Sequence, residues 1–199
     1  PAKLDKNFKI ITVFKRAAAS DILLTKNGAS FKSMPEGSII GTSSPRRKAQ
    51  IKILRPDLNT ISVRGNIATR IKKLHDNHFD GLIIAKAAME RLNLSFENTY
   101  EFSYQEMLPA ASQGFIGIEC ISSNKDLIKM LGSISSEKDM VLAEAERSFV
   151  AQLNGSCLSP IAIYCREESS HVLVSAKALS QNGDKQIFKE IISSHASIN

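Results

Sequence analysis

The chain's 199 residues suffice for one large or two modest domains, and 43% apolar with 23% charged residues is ordinary globular composition, which excludes disordered and collagen-like classes. No apolar run approaches the ~20 residues that span a bilayer, and the opening PAKLDKNFKI has neither the basic head nor the apolar core of a signal peptide, so a soluble, cytoplasmic protein without a membrane partner is expected. The formal charge of +6 is concentrated between Gly41 and Leu74, where nine Lys or Arg (Arg46, Arg47, Lys48, Lys52, Arg55, Arg64, Arg70, Lys72, Lys73) face one acid, Asp57. Such a cluster suggests an anionic partner, either nucleic acid or a small polyacid, with a solvated basic helix face as the plain alternative.

In chain order, Phe8 to Phe14 (FKIITVF) is an apolar strand candidate. Ser38 to Thr42 (SIIGT) is a short β-branched run that stops at Thr-Ser-Ser-Pro, where Ser44 can cap a helix beginning at Pro45 and running to about Leu54. Pro56 and Asn59 break the pattern, Thr60 to Val63 reads as a second strand, and Arg64-Gly65-Asn66 turns into a helix from Ile67 to about His75. Gly81 to Ala85 (GLIIA) makes a third strand, followed by the helix AAMERL. Strands alternating with helices through short turns argue for parallel βαβ units. Phe115 to Cys120 (FIGIEC) is another strand candidate, so the βαβ region is flanked by two strands, as in a chain that leaves one sheet, builds a second domain and returns. Leu142 to Leu153 carries apolar residues at helical spacing and ends at Asn154-Gly155, a helix-stop signal. Ile161 to Tyr164 and Val172 to Ala178 then read as strands of a smaller α+β unit.

In an open parallel sheet the carboxyl ends of the strands lie along one edge, where ligands bind. Thr42, Ser43, Ser44, Arg64 and Lys86 fall just past those ends, and Arg46, Arg47 and Arg70 lie in the first turns of the two following helices, whose amino ends favour negative charge. The expected product is a small, deep anion site in which planar guanidinium forks suit carboxylates or phosphates.

Three cysteines, odd in number and without a zinc spacing, argue for free thiols. Cys157 lies in a Gly/Ser/Pro loop, NGSCLSP, where exposure and positive charge favour a reactive thiolate, although a small loop-packing residue is the bland reading. Cys120 and Cys165 end apolar strands and should be buried. His75 and His78, with Asp80 nearby, sit at a polar helix end and read as surface residues, so no metal is implied. Gln113 to Gly117 is too short for a dinucleotide fingerprint, no Walker-type loop exists, and no His stands near a nucleophile signal.

The blocks GTSSPRRKAQ, RPDL, SVRGNIATRIKKL and DGLIIAKAAMERLNL, followed by LPAASQGFIGIEC and AERSFVAQLNGSCLSPIAIY, resemble the hydroxymethylbilane synthase (porphobilinogen deaminase) family over nearly the whole chain. The resemblance implies an α/β fold: a periplasmic-binding-protein-like parallel βαβ domain over 16–113, a remnant of a similar first domain over 1–15 and 114–133, and a small α+β domain over 134–199. It implies a transferase of haem biosynthesis, usually monomeric, that joins four porphobilinogens head to tail with loss of ammonia. It also implies a dipyrromethane cofactor held through a thioether to Cys157. Cofactor and substrate carboxylates would fall on Ser44, Arg46, Arg47, Arg64 and Arg70, with Thr42, Ser43 and Gln113 nearby.

The reaction needs a general acid to help ammonia leave and a carboxylate to stabilise the resulting cation. In the family that group is an aspartate in a His-Ser-x-Lys-Asp block, which does not occur in residues 1–199. It is expected upstream of Pro1, and the last helix of the third domain beyond Asn199, so this chain alone is expected not to turn over. Two local departures, Pro45 for the usual Leu and Ser156 for the usual Gly, remove no ligand. The alternatives are an anion-binding module without a cofactor, or a nucleic-acid binder. The second is disfavoured because only Phe79, Phe96 and Tyr100 lie between Ser33 and Phe102 to stack on bases.

Overall fold

The computed structural model describes residues 4–194. Its core is a five-stranded sheet in the order β4-β3-β5-β2-β6, formed by β2 (Asp21–Thr25), β3 (Ile39–Gly41), β4 (Asn59–Ile61), β5 (Gly81–Ala85) and β6 (Thr99–Glu101). The parallel βαβ arrangement holds for β4, β3 and β5. The sheet as a whole is mixed, because β2 enters beside β5 and runs antiparallel to both β5 and β6. All five residues of β2 are buried, so its DILLT run shows none of the alternation that marks a half-exposed strand.

Both faces of this sheet are covered. Leu23, Ile40 and Ile83 point to one side, where Ile51 of α1 (Pro45–Leu54) and the aromatic Phe31 and Phe102 complete a core. Ile22, Leu24, Leu82 and Ile84 point to the other, against Leu74 of α2 (Ile67–His75) and Met89 of α3 (Lys86–Arg91). Adjacent residues of β2 and β5 thus serve opposite cores, as the period of two requires. The helix starts have the expected chemistry: Ser44 accepts from the Arg47 amide and Asn66 from the Thr69 amide, each cap being worth about 1 kcal/mol.

Two smaller sheets flank this body. β1 (Phe8–Val13) pairs antiparallel with β7 (Gly117–Ile121), and α4 (Lys125–Gly132) follows β7. The three-stranded antiparallel sheet β10-β9-β8 comprises β8 (Ile161–Glu168), β9 (His171–Leu179) and β10 (Gln186–Ser194). It packs on α5 (Glu137–Gln152) through Leu142, Val150, Ile163, Cys165 and Val172. α5 starts earlier than the apolar spacing from Leu142 suggests, because Ser136 caps it by accepting from the Asp139 amide. Among the described residues no helix is long and apolar enough to cross a membrane.

Candidate functional site

The loop after α5 is tightly folded. Gly155 donates its amide to Val150 O at 2.8 Å, Ser156 donates to Ser159 Oγ, and Leu158 donates to Ser156 Oγ. A Cβ on Gly155 would lie 3.2 Å from Val150 O and 2.5 Å from Ile161 Cδ1, so a larger residue there would push on the end of α5 and the Ile161 side chain. This geometry leaves Cys157 exposed, whereas Cys120 and Cys165 are buried, and all three thiols are unpaired. Burial pushes the Cys165 thiol up to about 12, with the Glu146 carboxylate adding to the effect.

Cys157 opens onto a cavity of about 470 Å³ whose lining also includes Ser44, Arg46, Arg47, Ser112, Gln113 and Arg147. The cavity therefore joins the start of α1, the loop before β7, one side of α5 and the cysteine loop. Of the residues singled out from sequence, Ser44, Arg46, Arg47, Gln113 and Cys157 meet here. The other five are not on this lining, Lys86 being paired with Glu101 at the sheet edge. Thr42 is buried and its hydroxyl accepts from the Ser44 amide. Ser43 bridges to the next strand, donating to Val63 O at 2.7 Å while accepting from the Val63 amide. Arg64 is exposed, and Arg70 donates through Nε to Gly65 O at 2.7 Å. The expected convergence of four arginines thus becomes two pairs: Arg46 and Arg47 turned inward, Arg64 and Arg70 at the solvent-facing start of α2.

The inward pair is organised by Asp21, which the sequence reading passed over. Asp21 is fully buried, accepting from Arg46 Nη2 and Arg47 Nη2 at 2.7 Å each and from Gln113 Nε2 at 2.9 Å. Arg46 also donates to Leu108 O and Arg47 to Ile83 O. Burial by itself would raise the Asp21 carboxyl, but the charges and hydrogen bonds of Arg46 and Arg47 prevail and hold it below its ordinary value. The Nε atoms of Arg46 and Arg47 are buried without a hydrogen-bond partner. Leaving such a donor unpaired costs about 1–3 kcal/mol, and both belong to residues lining the cavity, which suits an acidic ligand there.

A second buried carboxylate ties the cysteine-bearing unit to the rest. Glu146 of α5, fully buried, accepts from Arg16 Nη1 at 2.7 Å, Arg16 Nη2 at 3.1 Å, the Ser112 amide at 2.5 Å and the Cys165 amide at 2.7 Å. The Arg16 guanidinium lies 4.5 Å from the Phe115 ring centre and 4.7 Å from that of Tyr164. Burial pushes the Glu146 carboxyl up, against the pull of Arg16 and the two amides. Arg16, Glu146 and Arg147 all escaped sequence reading, and Asp21 lies in no motif that would single it out. The one local signal was an acid inside an apolar run, Ser20-Asp21-Ile22-Leu23-Leu24.

The donor set fits an acidic pyrrole oligomer tethered to sulfur: one accessible thiol, two guanidiniums with unpaired Nε atoms, and the hydroxyls and amide of Ser44, Ser112 and Gln113 on one cavity. Among the described residues no group of three metal-ligating side chains occurs.

Residues 1–129 match the family described as "Porphobilinogen deaminase, dipyromethane cofactor binding domain". The chain is 41% identical over 178 residues to porphobilinogen deaminase of Campylobacter jejuni, covering 88% of this chain and 58% of that protein. It is 37% identical over 191 residues to porphobilinogen deaminase of Clostridium kluyveri, covering 96% of this chain and 65% of that protein, an overlap that takes in Cys157. The chain therefore spans less than two thirds of the length of these relatives. Among solved structures it is similar to an arginine-specific periplasmic binding protein of Salmonella typhimurium, with a TM-score of 0.40 and 14% identity over 63% of this chain and 55% of that one.

Proposed function

We propose, because this chain belongs to the porphobilinogen deaminase family, that Cys157 carries a dipyrromethane in thioether linkage and that Arg46 and Arg47 hold its carboxylates. The whole protein would be a hydroxymethylbilane synthase, joining four porphobilinogens head to tail with loss of ammonia in tetrapyrrole biosynthesis. When bound, the dipyrromethane supplies a fixed primer whose free α-position takes the next pyrrole.

The residues of this chain act by binding and orientation. Cys157 offers an accessible sulfur at the cavity wall, and the hydrogen-bonded loop around it fixes the attachment point. Arg46 and Arg47 offer their unused N–H donors to carboxylate oxygens, and Ser44 and Gln113 add neutral polar partners. Arg64, exposed, and Arg70, half-buried near the start of α2, are suited to acetate and propionate groups of incoming substrate beyond the cavity. On this reading residues 16–113 form the cation-bearing unit and 134–199 the tethering unit. A cytoplasmic setting fits three unpaired thiols.

The observation that carries the reading is that an exposed thiol and two guanidiniums, one buried and one half-buried, with unpaired Nε atoms belong to residues lining the same cavity. The test is intact and peptide mass after expression in a haem-producing host. The expected result is a two-pyrrole adduct on the Cys157 peptide that disappears in Cys157→Ser. An unmodified Cys157 thiol in the folded protein would refute the assignment.

A further inference from the structure

Neighbouring residues on a helix do not face each other, since successive side chains are turned by about 100°. Arg46 and Arg47 are such neighbours, yet their guanidinium heads meet on one carboxylate, each Nη2 lying 2.7 Å from a different oxygen of Asp21. Asp21 is at the start of β2, on the strand inserted antiparallel beside β5, and its side chain is fully buried. The remaining ends of the two forks are tied to Leu108 O and Ile83 O. Both Nε atoms are buried and without a hydrogen-bond partner, and each fork keeps a further Nη–H beyond those bonds.

We infer that Asp21 is a positioning residue of the cavity: it draws the two adjacent guanidiniums into one fixed pair and cancels one of their two charges, so that the pair presents its unused N–H donors to a ligand carboxylate with a net single positive charge. This rests on the reading of the cavity as the dipyrromethane site. Without the carboxylate, two like charges would be buried side by side, with nothing to hold their orientation. With it, the pair is matched in charge to one carboxylate.

The experiment uses the chain expressed in two hosts. In a host blocked in porphobilinogen synthesis Cys157 keeps its thiol, and its alkylation by anionic iodoacetate relative to neutral iodoacetamide reads the local charge. At about 10 mM salt, where screening reaches about 30 Å, one added positive charge on a cavity wall should raise the iodoacetate to iodoacetamide ratio roughly two- to threefold. Asp21→Asn is expected to show that rise. In a haem-producing host its adduct-bearing fraction should fall severalfold, because the guanidiniums lose their common anchor. Asp21→Glu keeps the charge but shifts its position, so its ratio should match the unsubstituted chain while its adduct fraction drops.

An unchanged ratio in folded Asp21→Asn would overturn the charge assignment. A raised ratio with undiminished adduct would overturn positioning. Should Asp21→Asn fail to fold, Asp21→Glu decides, since adduct at the level of the unsubstituted chain would equally overturn positioning. Absence of adduct from the unsubstituted chain would count against the proposed function instead, and the alkylation arm would still read the charge.

Discussion

The heaviest single consequence for stability is expected at Glu146→Gln. Each Glu146 oxygen accepts two donors: Oε1 takes Arg16 Nη1 and the Cys165 amide, and Oε2 takes Arg16 Nη2 and the Ser112 amide. A glutamine keeps the shape but replaces one oxygen with an NH2, which leaves two donors facing a third and strips Arg16 of its counter-charge. Removing one member of a buried pair costs about 3–5 kcal/mol. At a urea slope of about 2 kcal/mol/M, the midpoint should fall by about 2 M, read by circular dichroism. Arg16→Met should be of similar size. The double variant with Glu146→Leu should lose clearly less than the sum, because neither charge is then stranded. A midpoint shift below about 0.5 M for Glu146→Gln, or strict additivity in the cycle, would refute the reasoning.

Asp21 stands below its ordinary value in the folded chain, so its contribution is present above the unfolded value of 3.8 and is lost as pH falls through the folded value. Urea midpoints measured between pH 7 and pH 2 should therefore show a shallower acid limb in Asp21→Asn than in the unsubstituted chain. Cys157→Ser, at an exposed position, should leave the unfolding midpoint within about 0.5 kcal/mol of the parent. At pH 8, native alkylation with iodoacetamide followed by peptide mass should label Cys157 and spare Cys165, whose thiol is pushed up to about 12 and so is ionised to only about one part in ten thousand. Gly114 has φ +92, and a Cβ there would lie 2.5 Å from the carbonyl oxygen of Ala17, so Gly114→Ala should destabilise by more than about 1 kcal/mol, read as a lower thermal midpoint.

The parts of the fold that could be read from sequence are those with local signals. The cap-and-proline start of α1, the Asn66 cap of α2 and the β-branched runs of β3 and β5 carry their conformations in neighbouring residues. β2 was hidden because complete burial removes alternation, and β10 because its apolar residues are exposed on both faces. Within the site, the clustered arginines marked the region but not its geometry. Charge counting cannot tell that Asp21 lies 25 residues from Arg46 in sequence and 2.7 Å from it in space. Nor can it tell that Arg64 and Arg70 remain at the solvent-facing start of α2. The Arg16–Glu146 pair spans 130 residues, and no local pattern announces a contact of that kind.

The thiol and the cations of the cavity ride on separate pieces of the chain, the first at the end of α5, the second at the start of α1. Their spacing depends on Glu146, the carboxylate through which α5 grips both Arg16 and the Ser112 amide next to Gln113. Anything leashed to that sulfur swings from a boom whose pivot is a side chain touching neither leash nor load. A change at the pivot would alter how far any molecule held on that sulfur reaches while leaving the cavity's own groups in place.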